Sequence, residues 1–354
     1  MDPICHTLVG LCLADSGLKR RTALGTATLV IAANLPDLDV LAIPLGQNLA
    51  WRRGWTHGIL ALVVWPLLLT GWMRWWSAAR QRRDLAEPRA DPRWLLLLSG
   101  LGVLTHPALD YLNTYGLRWL MPFADRWFYG DTLFIVDPWI WATLALGVFL
   151  TRRTERLGAR DAGWPARVAL ALVSIYIGLM LGTTVAGRAM VARALETDPV
   201  EPAPTSGAGA VSPPPKPRYM VAPAPVNPLV KQVVVDEGRS YRIGMLRTAG
   251  APGLTWNARV PKGDGTPAVK ALKTLPAARP FLHWSRFPVF RERTEGDSVV
   301  VAIYDLRYAS GSSRSWAMVE FTLPRRGPPA PAAPGAPTPP GARPAPPPGS
   351  PGGT

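Results

Sequence analysis

Ala33-Asn34-Leu35-Pro36-Asp37-Leu38-Asp39 is the stretch on which the fold turns. Two carboxylates stand two residues apart, just past a proline and at the end of an apolar run. An ionisable side chain in a bilayer core costs about 3 kcal/mol on insertion scales, so such groups are usually kept for function. Three other pieces have the same character: His6, Thr56-His57 and His106-Pro107-Ala108-Leu109-Asp110.

Working outward, the chain is 48% hydrophobic with 15 Trp although it also carries 39 Pro. Prolines usually travel with polar linkers, so the apolar residues must be concentrated, and they crowd into residues 1–190. Apolar runs there predict helices near 4–17, 22–36, 56–73, 94–111, 138–150 and 168–187. The first is short for a span, and the last is continuous and strongly apolar. Thr56 suits the N-cap of the third, and Asp137-Pro138 is a helix-start pair. The connection 112–132 carries Trp119, Trp127, Phe128 and Tyr129, residue types that favour a water–lipid interface.

The net charge is +15, yet the arginines fall mainly in short loops between apolar runs. That pattern favours a membrane, and no basic helix with interleaved aromatics points to nucleic acid. The first basic residue, Lys19, follows the first apolar run, so no cleavable signal peptide is expected. Cys5 and Cys12 are seven apart, too far to bridge within one helix, and read as core.

The expected fold is therefore mainly α. It is a multi-pass transmembrane helical bundle of about five to six helices, then a small β-rich extracytoplasmic domain and a disordered Pro-rich tail. The divisions are 1–195 for the membrane part, 196–217 for a Pro/Ala/Gly linker, 218–326 for the β-rich part and 327–354 for the tail. In the β-rich part, Asp236-Glu237-Gly238 predicts a turn between two strands. Val299–Tyr308 and Trp316–Leu323 predict a hairpin around Ser310-Gly311-Ser312.

On the positive-inside rule the basic loops 18–21, 74–93 and 151–167 are cytoplasmic. Alternation then places His6, Asp37, Asp39, His57, His106, Asp110 and Asp137 at one outer end of their helices, with the C-terminal region outside too. Each residue alone has a structural reading: His6 as a bonded core histidine, Asp37 and Asp39 as turn formers, His57 as a residue following its cap, Asp137 as a cap. Their coincidence on one face is harder to explain that way. His106 and Asp110, four apart, share a helix face, and Asp37 and Asp39 share a side on extended backbone. Imidazole and carboxylate donors suit a divalent metal, zinc by ligand type, and seven groups leave room for two ions. Asp39 or Asp137 is the candidate general base. Arg52 and Arg53 read as a solvated loop or a binder of phosphate or lipid headgroups, and His283 has no evident role.

At these residues the sequence resembles a known family. Asp2-Pro3 with His6, Ala33–Asp39, Arg53-Gly54-Trp55-Thr56-His57, Thr105-His106-Pro107-Ala108-Leu109-Asp110-Tyr111 with Tyr115-Gly116, and Pro122-Phe123 are similar to the signature of YdjM/YbcI-type inner-membrane metal-dependent hydrolases. The resemblance covers residues 1–190 and, more loosely, the β-rich part through Ala224-Pro225-Val226-Asn227-Pro228. Gly58 stands where that pattern has Ser. The resemblance implies a bacterial inner-membrane protein of a LexA-regulated, phospholipase-like type, with His6, Asp37, Asp39, His57, His106 and Asp110 as metal ligands. The expected activity is metal-dependent hydrolysis of a lipid or other ester or phosphoester at the outer face of the inner membrane. Membrane lipid is the expected partner, and no protein partner is indicated. The alternative is a transporter or envelope scaffold with a structural ion.

Overall fold

A computed structural model describes residues 1–44, 48–198, 217–308 and 317–325. Nearly all of the expected linker, the whole expected tail and the Ser310-Gly311-Ser312 turn lie outside the described residues.

Seven α-helices make up the first part: α1 (Pro3–Asp15), α2 (Gly25–Asn34), α3 (Asn48–Trp51), α4 (Ala61–Arg83), α5 (Pro92–Tyr111), α6 (Pro138–Arg156) and α7 (Trp164–Thr197). Three of them start on Asp-Pro. Asp2, Asp91 and Asp137 each accept two backbone N–H bonds while proline fills the first helical position, where no donor is needed. Thr56 is not a cap: α4 begins at Ala61, behind a run of turns. Pro107 lies inside α5 without ending it, so His106 and Asp110 stay on one continuous helix.

α1 packs against α2, α6 and α7, and α5 lies between α2 and α4. Small residues set the approach of α5 to α2, since a Cβ at Gly102 would sit 2.5 Å from that of Ala32. Cys5, Val9, Cys12, Ile140, Leu144 and Val173 form the main core of this part, so both cysteines are packing residues with free thiols.

The multi-pass bundle is corrected. Among the described residues only α7 is long and apolar enough to cross a membrane. At 1.5 Å per residue, α1 and α2 reach about 20 and 15 Å, short of the roughly 30 Å hydrocarbon layer. α4 and α6 each end in arginines, and α5 is interrupted by Ser99, two glycines, Thr105, His106 and Asp110. The alternation of loops therefore has no run of spans to rest on. The chain is also not a mainly α bundle with a minor β appendage.

Its C-terminal part holds seven strands in two antiparallel sheets. The first is β1 (Tyr219–Pro223), β2 (Val230–Asp236), β3 (Ser240–Arg247) and β4 (Gly253–Pro261), in that order. The second is β5 (Pro288–Glu295), β6 (Ser298–Asp305) and β7 (Met318–Pro324). Both expected strand pairs are present: Asp236 faces Tyr241 across the β2–β3 turn, where Gly238 supplies a φ of 85°, and Tyr304 faces Met318 in β6–β7. Two helices, α8 (Pro267–Thr274) and α9 (Arg279–Trp284), lie between the sheets in sequence. The first sheet packs on the second half of α7, with Val221, Val233, Val235 and Leu246 against Val191 and Leu195.

Trp127 and Tyr129, two of the four expected interface aromatics, find a different use, while Trp119 lies against Tyr111 and Phe128 under Arg126. Tyr115 and Trp127 are buried with Phe281, Trp284 and Phe290 of the C-terminal part. They form the seat of the sheets rather than a lipid-facing belt.

Candidate metal centre

Asp37, His57, His106 and Asp110 each offer one ligand atom, and the four atoms lie within 4.8 Å of one another. Their elements explain the convergence. His106 and Asp110 stand one turn apart on α5, with Nε2 to Oδ2 at 3.5 Å. Asp37 arrives from the 3-10 helix Leu35–Ala42 that continues α2, its Oδ1 3.7 Å from His106 Nε2. His57 comes from the turns before α4, with Nε2 3.4 Å from Asp110 Oδ2 and 3.2 Å from His106 Nε2.

The protonation pattern follows from the outer contacts. His106 Nδ1 is 2.6 Å from the Ala33 carbonyl, which can only accept, so Nδ1 carries the proton and Nε2 presents a lone pair to the cluster. Thr56 Oγ1 lies 2.9 Å and Asp39 Oδ2 3.5 Å from His57 Nδ1; the hydroxyl can donate or accept, and the Asp39 carboxylate favours the proton on Nδ1. Burial pushes His6, His57 and His106 below their ordinary range; neighbouring imidazoles add to this at His6 and His57, while Asp37 and the Ala33 carbonyl oppose it at His106. Burial alone would raise the Asp37 carboxyl, but His106 and the nearby cations hold it below the carboxylate range. Two lone pairs thus face each other beside two carboxylates, and Asp37 Oδ1 and Asp110 Oδ2 are buried without a hydrogen bond. A divalent cation satisfies all four groups together, so the residues fit a metal.

The other expected site residues fall around this group. His6 stacks on His106 with ring centroids 3.6 Å apart, and its Nε2 is 3.4 Å from the other Asp110 oxygen. Asp39 is not among the four. The backbone is 3-10 rather than extended, so residues two apart point to different sides. Asp39 instead accepts from the Arg53 backbone N–H at 2.6 Å and from Arg52 at 3.2 Å, behind His57. Asp137 caps α6 and accepts from Tyr176 at 2.9 Å, with no described hydrogen bond to the four. His283 pairs with Asp125.

Arg53, expected in a solvated loop or on a phosphate or lipid headgroup, is instead buried beside the cluster. It is 3% exposed, and its Nε lies 3.0 Å from Asp110 Oδ2. Its φ of 49° is left-handed, an unfavourable setting for a side chain of this size. Nothing in the local pattern distinguishes it from Arg52, which stays partly exposed at the mouth, 3.9 Å from Asp37. Asn113 was missed as a supporting residue because its partner Arg53 is sixty residues away, and Thr56 because its position beside His57 read as a helix cap.

The arrangement is a buried histidine–carboxylate cluster that could hold a divalent ion, in a chain with one helix long and apolar enough to cross a membrane among the described residues. Residues 1–189 match the model of the YdjM inner membrane protein family, and the chain belongs to that family. It is a membrane protein accordingly. The chain is also similar to the uncharacterized protein YfhP of Bacillus subtilis (strain 168), at 26% identity over 151 residues, 40% of this chain and 43% of that protein. It therefore spans under half of that relative's length. No solved structure matches it.

Proposed function

We propose that this is a membrane-bound metal-dependent hydrolase acting on an ester or phosphoester of a lipid or similar amphiphile. The observation that carries the metal is the pair of facing Nε2 atoms 3.2 Å apart beside the buried Asp110 carboxylate and the half-buried Asp37 carboxylate. Asp37, His57, His106 and Asp110 would hold one ion, and the mixed nitrogen and oxygen donors suit zinc. The far oxygen of Asp110 is met by the Met1 amino terminus and by His6, and His6 is the further imidazole donor for a second ion. Bound zinc lowers the pKa of a coordinated water to about 7, which supplies a nucleophile at neutral pH. Asp39 orients His57 rather than serving as general base, and we assign Asp137 to the α6 cap.

Support for an amphiphilic substrate comes from the mouth. Asp37, at 13% exposure, is the member of the four that reaches the surface, and Arg52 beside it is 23% exposed. Leu38, Val40, Leu41, Ile43, Trp51 and Trp55 are exposed on the same segments. A cation ringed by apolar side chains suits an anionic headgroup and its chains. Lys19, Glu155 and Arg167 gather at the start of α7, whereas Asp131 and the first sheet meet its second half. The positive-inside bias then favours a cytoplasmic arginine end and a site on the far side of the membrane.

A second reading is favoured by the burial itself. His57, His106 and Asp110 are fully buried, as in closed structural sites. Elemental analysis of the purified protein, with headgroup release from zinc- or manganese-supplemented phospholipid vesicles, separates the two. Stoichiometric metal with turnover, both lost in D37A/H106A, is the expected result. Metal without turnover leaves the structural reading. No stoichiometric metal, or metal content unchanged in the variant, overturns both.

A further inference from the structure

We propose that the C-terminal sheets set the geometry of the cluster through Arg307, which acts on Asp110 by way of the 113–116 loop and Arg53. The proposal rests on the metal-site reading for its significance, though not for its geometry.

The chain of contacts is continuous and buried. Asp305, the last residue of β6, holds Arg307 with both carboxylate oxygens, each 3.0 Å from a guanidinium nitrogen, and both side chains have no exposed surface. The rest of that guanidinium leaves the sheet. Nη1 donates to the Thr114 carbonyl at 2.7 Å and Nη2 to the Trp284 carbonyl at 3.1 Å. The next residue, Tyr308, meets the Thr114 hydroxyl at 3.1 Å. The C-terminal part therefore grips the loop that follows α5 at its backbone.

The same loop holds Arg53. Its Nη1 donates to Asn113 Oδ1 at 3.1 Å and to the Gly116 carbonyl at 3.3 Å, and its guanidinium lies 4.6 Å from the Tyr115 ring centroid. Asn113 Oδ1 also accepts the Tyr115 backbone N–H, which ties the loop to itself. Gly116, at φ 83°, allows the close turn, since a Cβ there would meet the Tyr129 ring at 2.5 Å. Arg53 ends the chain in an ion pair rather than a hydrogen bond, with Nε 3.0 Å from Asp110 Oδ2, the oxygen that faces His57 and His106.

Two features argue that this path positions the site rather than merely filling space. A buried arginine with a planar fork fixes direction as well as charge, and lysine cannot reproduce it. Arg53 is also held at a left-handed backbone angle, strain that is kept when the surroundings require it. Arg307 and Arg53 are thus positioning residues. Groups behind metal ligands typically alter metal affinity 10- to 100-fold when changed.

The test uses the full-length protein in detergent, with R53K, R307K and the double variant. R293Q, which alters an exposed ion pair on β5, serves as the fold control. Zinc affinity is read by chelator competition, and the ring 15N shifts of His57 and His106 are read in metal-free protein. The expected result is a loss of about tenfold or more in each single variant and no multiplication in the double. R307K should also move the ring shifts, while R293Q changes neither. Losses that multiply, or ring shifts unmoved in R307K with thermal stability retained, overturn the inference. A wild-type protein that binds no zinc but whose ring shifts still move in R307K sinks the metal reading and leaves the relay standing.

Discussion

Asp39 shows how the site divides labour among residues. Its carboxylate is buried and is pushed above its ordinary range by that burial, with Arg52 and the Arg53 backbone N–H opposing the rise. It stands behind His57, as carboxylates often stand behind metal-bound imidazoles. Asp39→Asn should weaken zinc binding about 10- to 100-fold without abolishing it. His57→Ala, which removes a ligand atom, should cost more than Asp39→Asn under the same chelator competition. Equal losses would place Asp39 in the ligand set instead. Sequence spacing could not decide between these roles. An i, i+2 pair shares a side on extended backbone but not in the 3-10 turn that this segment forms.

At the scale of elements, α7 is the axis shared by both parts of the molecule. Its 34 residues run about 51 Å, well beyond a bilayer's hydrocarbon layer, and its second half is sheathed by β1–β3. Lys231 of β2 is buried there. Its Nζ donates to Thr184 Oγ1 at 3.0 Å, and no carboxylate pairs with it among the described contacts. Burial pushes its pKa down to about 8. Between that value and the ordinary lysine range the folded chain has lost a proton that the unfolded chain still holds. Stability should therefore rise with pH across that interval. Lys231→Met should be more stable than wild type at pH 7 and should show a flatter profile from about pH 8 up to the ordinary lysine range, as read by chemical denaturation. A lysine in a strand otherwise rich in valine is visible in the sequence, but its burial against a helix fifty residues earlier is not.

For the whole molecule, the site binds the ends of α2, the start of α4 and α5 into one unit, and the sheets close on the loop beside it. A ligand that binds only the folded state stabilises it by mass action, about 2.7 kcal/mol at a hundredfold excess over Kd. Chelation should accordingly lower the Tm of the wild-type protein and leave that of D37A/H106A unchanged. An identical response in both proteins would show that the cluster holds no stabilising ion.

Local chemistry alone determined several features of this protein. Asp-Pro pairs set the helix starts, because capping needs only neighbouring atoms. The i, i+4 spacing of His106 and Asp110 joined their side chains, and alternation with turn residues marked the hairpins. The membrane setting was legible in the apolar runs of residues 1–189. The number of spans was not, because composition does not say whether an apolar face meets lipid or another helix, and short helices here bury theirs on one another. Tertiary structure decided that Asp37, His57, His106 and Asp110 meet while Asp39 and Asp137 do not. It also decided that Arg53 is buried and that Tyr115, Trp127 and Tyr129 seat the sheets. Those outcomes depend on which elements pack together, and contacts between residues 53, 110 and 307 leave no trace in local spacing.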